Sequence, residues 1–354
     1  MTWGRPRPLD NWLRVSRCHL EPVGLRCAEP GNNVDVGPRS RPRVLVFGGS
    51  SVRNPFDPDP EMWFATTVQA LVPEAEVVNL GVPGLAAVGV AALVSQAPVL
   101  DPDVIVIYSG HNDFNQDVFA GRIAATRMWM LPVYAALSNS WLHSLLARRP
   151  VGQARQSFEL GATRTLATDD DFSLRVRPEI LARYQEDLRS ALSASRVPVV
   201  LSTLMRNASW PPQGTLTTGH PGCAAFLEHA NLNQPQSLVE GAEAACGDEA
   251  LTWWARMHHA ITHHDDAAAA AAWGKSLDRD PLPMRAPLIA DDTIRELAAA
   301  EDAILVDLSL GLGLMPSGRY FRDTLHLSAD GGRAVGAQMA PAVREALTRS
   351  AALR

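Results

Sequence analysis

Residues 43–51 read Arg-Val-Leu-Val-Phe-Gly-Gly-Ser-Ser, an apolar run that ends in two glycines and two serines. Runs of this kind are typical of a strand that lies in a parallel sheet and is buried on both faces. Further apolar runs alternate with segments of helical pattern, at residues 77–80, 104–108, 197–202 and 303–307. Strands that alternate with helices predict an α/β fold, here a three-layer, doubly wound parallel sheet of five strands with helices on both faces.

The rest of the chain divides into an N-terminal segment and two insertions. Residues 1–42 are rich in Pro, Arg and Gly and lack periodicity, so we expect an extended N-terminal arm. The main domain spans residues 43–347 and is interrupted at about 114–177 and 207–300. Both insertions leave the core after the carboxyl end of a strand, which is the edge where open α/β sheets bind ligands. We therefore expect helical insertions over this edge, the second built around a helical pair at residues 249–277.

The composition is that of an ordinary globular enzyme, with 354 residues and a formal net charge of -6. A chain without a basic excess is a poor match for nucleic acid, so we expect no nucleic-acid partner. The most apolar segment, residues 128–146, is interrupted by Pro132 and polar residues, which predicts a buried or amphipathic helix and no transmembrane segment. Nothing in the pattern fixes an oligomeric state.

The four cysteines fall into two local pairs, Cys18 with Cys27 and Cys223 with Cys246. Such pairs fit two disulfides in an exported protein and, equally, four reduced cysteines. Residues 1–30 lack the apolar stretch of a signal peptide. A cytoplasmic location is therefore the default expectation, and the two cysteine pairs leave export open.

Four short motifs occur at strand ends or before the last helix of the predicted fold. In chain order they are Gly49-Ser50, Gly84, Gly110-x-Asn112-Asp113 and Asp323-x-x-His326. Each of them is common on its own, and their joint occurrence in this order is informative. In this respect the core of the chain resembles the SGNH/GDSL superfamily of serine ester hydrolases, whose sequence blocks carry Ser, Gly, Asn and His in the same order.

The resemblance implies a flavodoxin-like sheet of strand order 2-1-3-4-5 and a catalytic triad. Ser50 would be the nucleophile, His326 its base, and Asp323 the carboxylate that holds the imidazole in one tautomer. The oxyanion would be stabilised by the backbone N–H groups of Ser50 and Gly84 and by the side-chain amide of Asn112. No cofactor and no metal are implied.

The first block departs from the usual Gly-Asp-Ser-Leu of the superfamily, since it reads Gly48-Gly49-Ser50-Ser51. Ser51 is therefore a rival nucleophile, although alignment on Gly48 favours Ser50. Gly81 is likewise a rival to Gly84. The spacing from Asn79 favours Gly84, and Gly81 more plausibly serves the turn.

The second insertion resembles the TPR-like helical segment of some bacterial SGNH proteins and is expected to act as a substrate-selecting cap. Arg206 is a candidate binding residue by the same resemblance. Trp253 and Trp254 are candidates for a sugar or acyl subsite, with burial in a helical core as the alternative. A histidine cluster in the same insertion has i,i+4 spacing that could bind zinc, but a solvated helix face is the favoured interpretation; it comprises His258, His259, His263 and His264.

The residues and the resemblance together favour a serine hydrolase that cleaves an O-acyl ester, such as acetyl on a carbohydrate or small metabolite. An O-acyltransferase with the same triad is the nearest alternative, because the acyl-enzyme half-reaction is identical. A phosphate- or nucleotide-binding protein would use the glycine turn after the first strand, but neither Gly-x-Gly-x-x-Gly nor the P-loop pattern is present there. A non-catalytic binding module is a further alternative, against which the complete triad argues.

Overall fold

The computed structural model describes residues 18–27, 30–53, 60, 63–115, 166–168, 172–212, 214–216, 220, 222–223, 225–226, 234–313, 315 and 318–353. The apolar helix predicted for residues 128–146 lies outside the described residues, as does most of the first insertion.

The secondary structure alternates between strands and helices through most of the described chain. The strands are β1 (Cys18–Glu21), β2 (Gly24–Cys27), β3 (Val34–Asp35), β4 (Arg43–Gly48), β5 (Glu76–Asn79), β6 (Val104–Tyr108), β7 (Leu166–Thr168), β8 (Val199–Ser202), β9 (Gly214–Leu216) and β10 (Ile304–Val306). The α-helices are α1 (Phe64–Leu71), α2 (Ala87–Val94), α3 (Phe172–Ala194), α4 (Pro235–Cys246), α5 (Ala250–Thr262), α6 (Asp266–Arg279), α7 (Ile289–Ala300), α8 (Leu308–Gly311) and α9 (Ala329–Ala352).

A five-stranded parallel sheet forms the centre of the fold, with the strand order β5-β4-β6-β8-β10. Counted along the chain as strands one to five, this is the order 2-1-3-4-5. The expected doubly wound α/β fold and its strand order are therefore confirmed. The order reverses between β4 and β6, so the carboxyl ends of these two strands flank the crevice in which such sheets bind ligands.

Helices cover both faces of this sheet. Helices α1 and α9 pack against each other on one face, while α2, α3 and α7 lie on the other. Residues 44–47 of β4 are completely buried, as expected for a parallel strand between two helical layers. Burial of near-continuous apolar strands is the main driving force for this arrangement.

The N-terminal segment is more ordered than the sequence predicts. Strands β1, β2 and β3 form an antiparallel sheet, and a disulfide joins Cys18 of β1 to Cys27 directly opposite in β2. The prediction of an extended arm is thus wrong for residues 18–35. Strands of two to four residues are too short to give a detectable periodicity, and here a covalent bond holds the hairpin together.

Helices α4, α5 and α6 form a helical cap with an apolar core of its own. The core contains Leu238, Ala242, Leu251, Trp254, Met257, Trp273 and Leu277. A second disulfide, Cys223–Cys246, ties the end of α4 to the segment that precedes it. The predicted helical pair is present as α5 and α6, and α4 was not predicted. Within the described part of the chain, no helix is both long and apolar enough to cross a membrane.

Candidate active site

Ser50 lies on the turn that follows β4, at the point where the strand order reverses. Two glycines make this turn feasible. A β-carbon at Gly48 would lie 2.0 Å from the carbonyl oxygen of Tyr108 in β6, and one at Gly49 would lie 2.3 Å from Nδ2 of Asn112. The glycine pair thus allows the end of β4 to approach the end of β6 more closely than any side chain would permit.

His326 reaches this turn from the far end of the chain. Its Nε2 lies 2.8 Å from Oγ of Ser50. The imidazole therefore contacts the hydroxyl of Ser50 and not the hydroxyl of Ser51, the rival nucleophile. The side chain of His326 is buried, whereas Ser50 is half-buried. A serine hydroxyl that is partly accessible beside a buried imidazole is an arrangement suited to nucleophilic attack on a substrate that arrives from solvent.

Asp323 holds the other side of the imidazole. Its Oδ2 lies 2.6 Å from Nδ1 of His326, and its Oδ1 accepts the backbone N–H groups of Leu325 and His326 at 2.9 and 2.7 Å. Burial raises the pKa of the Asp323 carboxyl, but the hydrogen bonds from His326 and Leu325 outweigh this, and the net pKa lies below its ordinary value.

The ionisation state of Asp323 fixes the tautomer of His326. An ionised carboxylate can only accept, so Nδ1 of the imidazole must carry the proton that lies between them. In the neutral ring, Nε2 is then an acceptor, and the Ser50 hydroxyl donates to it. This is the protonation state that a serine nucleophile needs before it loses its proton.

Asn112 and Gly84 lie beside the serine turn. Nδ2 of Asn112 donates to the carbonyl of Leu85 at 3.0 Å, and the same nitrogen sits against Gly49. Gly84 has φ +76° within the turn that is closed by the Leu85 N–H donating to the Val82 carbonyl at 3.0 Å. This conformation favours glycine. Both residues are half-buried.

Gly81, the rival of Gly84, has a structural role in the turn. Its N–H donates to Oδ1 of Asn79 at 2.9 Å, and Nδ2 of Asn79 donates to the carbonyl of Val52 at 3.0 Å. A β-carbon at Gly81 would lie 2.9 Å from the backbone nitrogen of Arg53. Asn79 therefore links the end of β5 to the residues that follow the serine turn.

His111, the neighbour of Asn112 in sequence, is buried in the protein interior. The Ala286 N–H donates to its Nδ1 at 3.2 Å, so its Nε2 carries the proton and donates to the carbonyl of Met205 at 3.1 Å. Burial, reinforced by the charge of Arg206, lowers the pKa of His111 from 6.5 to about 3. His111 is thus a neutral cross-link that the sequence analysis missed. The feature of the sequence that could have identified His111 is its position between Gly110 and Asn112 in the Gly-x-Asn-Asp motif.

The structure places Arg206 in the protein interior, where it is 2% exposed. All five of its N–H donors are used: Nη1 and Nη2 contact the Asp291 carboxylate at 2.7 and 3.1 Å, and the remaining contacts are to the carbonyls of Leu204, Ala286 and Pro287. The predicted binding role of Arg206 is therefore corrected to a buried ion pair. Removal of one member of such a pair would leave an uncompensated buried charge.

The two tryptophans of the helical cap contact the cap itself and the segment that follows β8. Trp254 is 1% exposed, belongs to the core of the helical cap and donates to the carbonyl of Ala208 at 2.9 Å. Trp253 donates to Asp248, and its ring is covered by cations, with Arg256 at 4.3 Å and Lys275 at 3.9 Å from the centroid. These contacts favour a structural role for both indoles over the predicted sugar or acyl subsite.

The histidine cluster of the same insertion forms pairwise contacts. His259 stacks on His263 with ring centroids 4.2 Å apart, and His258 packs edge-on against Trp254. Among the described residues, no group of three or more His, Cys, Asp or Glu is arranged to hold a metal ion.

Comparison with known proteins finds similarity to solved structures and to no family model or curated protein. No protein-family model matches the chain, and no curated protein matches it either. Among solved structures, the chain is similar to TesA, at 13% identity over 86% of this chain and 98% of that one, with a TM-score of 0.39. It is also similar to a lipase/acylhydrolase from Enterococcus faecalis, at 15% identity over 87% and 96% of the two chains and a TM-score of 0.35.

A third similar structure is a variant of Axe2, an acetyl-xylooligosaccharide esterase from Geobacillus, at 13% identity, with 88% and 96% of the two chains covered and a TM-score of 0.39. Scores of this size assign neither an activity nor a substrate, which must come from the geometry of the site. Further solved structures to which the chain is similar are described as a putative acylhydrolase from Bacteroides fragilis, an acetyl xylan esterase and a possible lipase from Chitinophaga pinensis.

Proposed function

We propose that this protein is a serine hydrolase of the SGNH/GDSL type, which cleaves an O-acyl ester through an acyl-enzyme on Ser50. The observation that carries the proposal is the continuous hydrogen-bonded array from Ser50 Oγ through the His326 ring to the Asp323 carboxylate, at 2.8 and 2.6 Å. Three side chains of the correct types, at these distances and beside a switch-point crevice, have the geometry of nucleophile, base and orienting acid.

The first half-reaction forms the acyl-enzyme. Ser50 Oγ attacks the ester carbonyl carbon while its proton passes to Nε2 of His326. Asp323 stabilises the imidazolium that results and keeps its ring in place. When the tetrahedral intermediate collapses, the bond to the alcohol oxygen breaks, and His326 returns the proton to that leaving oxygen. The acyl group remains on Ser50.

The developing oxyanion needs donors that are already in place. The side-chain nitrogen of Asn112 has two N–H groups, of which one is used by the carbonyl of Leu85. The other, with the backbone N–H groups of Ser50 and Gly84, is proposed to stabilise the negative oxygen. Fixed donors of this kind stabilise an oxyanion more strongly in a crevice than water does, because they need not reorganise as the charge develops.

The second half-reaction transfers the acyl group to water. A water molecule loses its proton to His326 as its oxygen bonds to the acyl carbon. When this tetrahedral intermediate collapses, the bond between the acyl carbon and Ser50 Oγ breaks, His326 returns the proton to Oγ, and the carboxylic acid leaves. A sugar hydroxyl could take the place of this water, which would make the protein an acyltransferase. We propose hydrolysis of an O-acetyl ester of a carbohydrate or small metabolite. Measurement of acetate release with and without added oligosaccharide acceptors distinguishes the two reactions.

Turnover of 4-nitrophenyl acetate by two adjacent serine variants tests the proposal. Ser50→Ala should lower kcat by on the order of 10⁴-fold or more. Ser51→Ala should keep most of the activity, since its hydroxyl is not the one that meets His326. If Ser51→Ala is instead the inactive variant, Ser50 is not the nucleophile; full activity of both variants would refute the proposed enzyme class.

A further inference from the structure

The segment that follows β8 contacts the turn that carries Asp323 and His326. Asn207 in this segment is 1% exposed, and its Nδ2 donates to the backbone carbonyl of Asp323 at 2.7 Å. Its backbone N–H donates to the carbonyl of Thr324 at 3.1 Å, and its Oδ1 accepts the N–H of Ser209 at 3.0 Å. Both ends of the Asn207 amide are thus engaged, one on its own loop and one on the turn that carries the proposed base.

The internal hydrogen bonds of this turn fix its shape but not its position. Asp323 Oδ1 accepts two N–H groups of the turn, and the Arg322 N–H donates to the carbonyl of His326 at 2.9 Å. These contacts join residues that are neighbours in sequence. The contacts from Asn207 come from a segment 116 residues away and therefore hold the turn relative to the rest of the fold.

Arg285 in turn holds the loop of Asn207. Its Nη1 donates to the carbonyls of Asn207 and Trp210 at 2.6 and 2.8 Å, and its Nη2 donates to that of Pro211 at 3.0 Å. The guanidinium lies 4.9 Å from the ring centroid of Trp273, which belongs to α6 in the helical cap. Burial lowers the pKa of Arg285 to about 10, so the side chain remains cationic at neutral pH. The buried guanidinium of Arg285 thus binds three carbonyls of this loop beside the helical cap.

We propose that Asn207 is a positioning residue for the Asp323–His326 turn. We propose further that Arg285, which contacts both the loop of Asn207 and the helical cap, couples the position of this turn in the proposed active site to the cap. The inference rests on the proposed function, because positioning has meaning only if His326 acts as the base. The contact between His326 Nε2 and Ser50 Oγ spans 276 residues of sequence. A small displacement of the turn would lengthen it, and misplacement by about 1 Å can cost on the order of 10²-fold in rate.

The variant Asn207→Asp tests this role most sharply. It keeps the size of the side chain and an oxygen for the Ser209 N–H, but replaces the N–H donor to Asp323 by an acceptor. We expect kcat for 4-nitrophenyl acetate to fall by about 10–10²-fold with KM within about twofold. The downfield proton resonance of His326 Nδ1–H should shift or broaden, which a purely structural role of Asn207 would not cause.

The matched control is Ser276→Ala. Ser276 is buried in the helical cap and donates to the carbonyl of Ala250 at 2.9 Å, away from the array. It should lower Tm without lowering kcat. If Asn207→Asp fails to fold, Asn207→Ala decides the question at a temperature below its own Tm. A kcat within twofold of the unaltered protein in the folded Asn207 variant, or an equal kcat loss in Ser276→Ala, would overturn the proposal.

Labelling by a fluorophosphonate separates this inference from the proposed function. Normal labelling of the unaltered protein, with slow labelling of the Asn207 variant, supports both. Labelling at the same rate in the two proteins would reject the positioning role and leave the hydrolase intact. No labelling of the folded, unaltered protein would reject the hydrolase itself, and the positioning role with it.

Discussion

Nε2 of His326 lies 2.8 Å from Oγ of Ser50, although 276 residues separate the two in sequence. Ser50 is held by the carboxyl end of β4, and His326 by a turn that precedes α9, which packs against the same sheet. The contact is therefore produced by the fold as a whole and not by any local motif. It is also the contact on which the proposed activity depends.

Substitutions of the residues in the Ser50–His326–Asp323 array should lower the rate by different amounts. His326→Ala removes the base and should lower kcat by on the order of 10⁴-fold or more. Asp323→Asn keeps a side chain of the same size but favours the wrong tautomer, and should leave roughly 10–100-fold more residual activity than His326→Ala. Steady-state turnover of 4-nitrophenyl acetate measures both. The roles are misassigned if His326→Ala is the milder variant.

Asn112→Ala should affect the transition state more than substrate binding. Its second N–H is proposed to meet charge that develops only as Ser50 attacks, so kcat should fall by roughly 10²–10³-fold with little change in KM. Asn115→Ala is the matched control, because Asn115 lies in the same segment but donates to Sδ of Met284. A change confined to KM in Asn112→Ala would exclude the oxyanion role.

Trp253 and Trp254 should differ in their contribution to stability. Trp254→Ala empties the centre of the helical cap and should lower the free energy of unfolding by about 3–5 kcal/mol. Trp253→Ala removes a half-exposed ring and should cost less than about 1 kcal/mol, without changing the preference between a small and a bulky ester. Urea unfolding and turnover of the two esters measure these effects. A large change of ester preference in Trp253→Ala would restore the subsite that the structure argues against.

His111 should make stability depend on pH. Its pKa is lowered from 6.5 to about 3 in the folded protein, so on acidification the unfolded chain takes up the proton first. The free energy of unfolding therefore decreases as pH falls from about 6.5 towards 3. Between about pH 7 and pH 5 this residue alone should cost about 2 kcal/mol. Urea unfolding at the two pH values measures the loss.

His111→Gln provides the comparison, since the glutamine amide can both donate to Met205 and accept from Ala286 without titrating. The loss of stability between the two pH values should be smaller in this variant by about the same amount. Equal losses in the two proteins would mean that His111 is not the group that titrates.

The sequence was sufficient to predict the central sheet because its three inner strands, β4, β6 and β8, are buried on both faces. Such strands are near-continuous apolar runs, and β6 was located to the residue. Ser50, Asp323 and His326 were identified in a different way, by the resemblance of their motifs to those of the SGNH/GDSL superfamily. The strand order implied by the same resemblance brings the ends of β4 and β6 together, beside Ser50, and a carboxylate and an imidazole three residues apart can meet across one turn.

The contacts that depend on which distant segments pack together could not be predicted. Arg206 was expected to bind substrate, and the sequence held no sign that Asp291, 85 residues away, would pair with it in the interior. The same holds for Asn207 and Arg285, whose partners are mostly backbone carbonyls. A carbonyl is present at every residue, so no pattern of side chains reveals which ones a buried donor will reach.

The most direct test of the central claim is the site of labelling by a fluorophosphonate, which forms a covalent adduct with an activated serine. Cleavage after Arg43 and Arg53 releases residues 44–53, and fragmentation of this peptide in a mass spectrometer distinguishes Ser50 from Ser51. One adduct is expected, on Ser50, that is absent in Ser50→Ala and forms far more slowly in His326→Ala. An adduct on Ser51, or a folded and unaltered protein that takes no label, would contradict it.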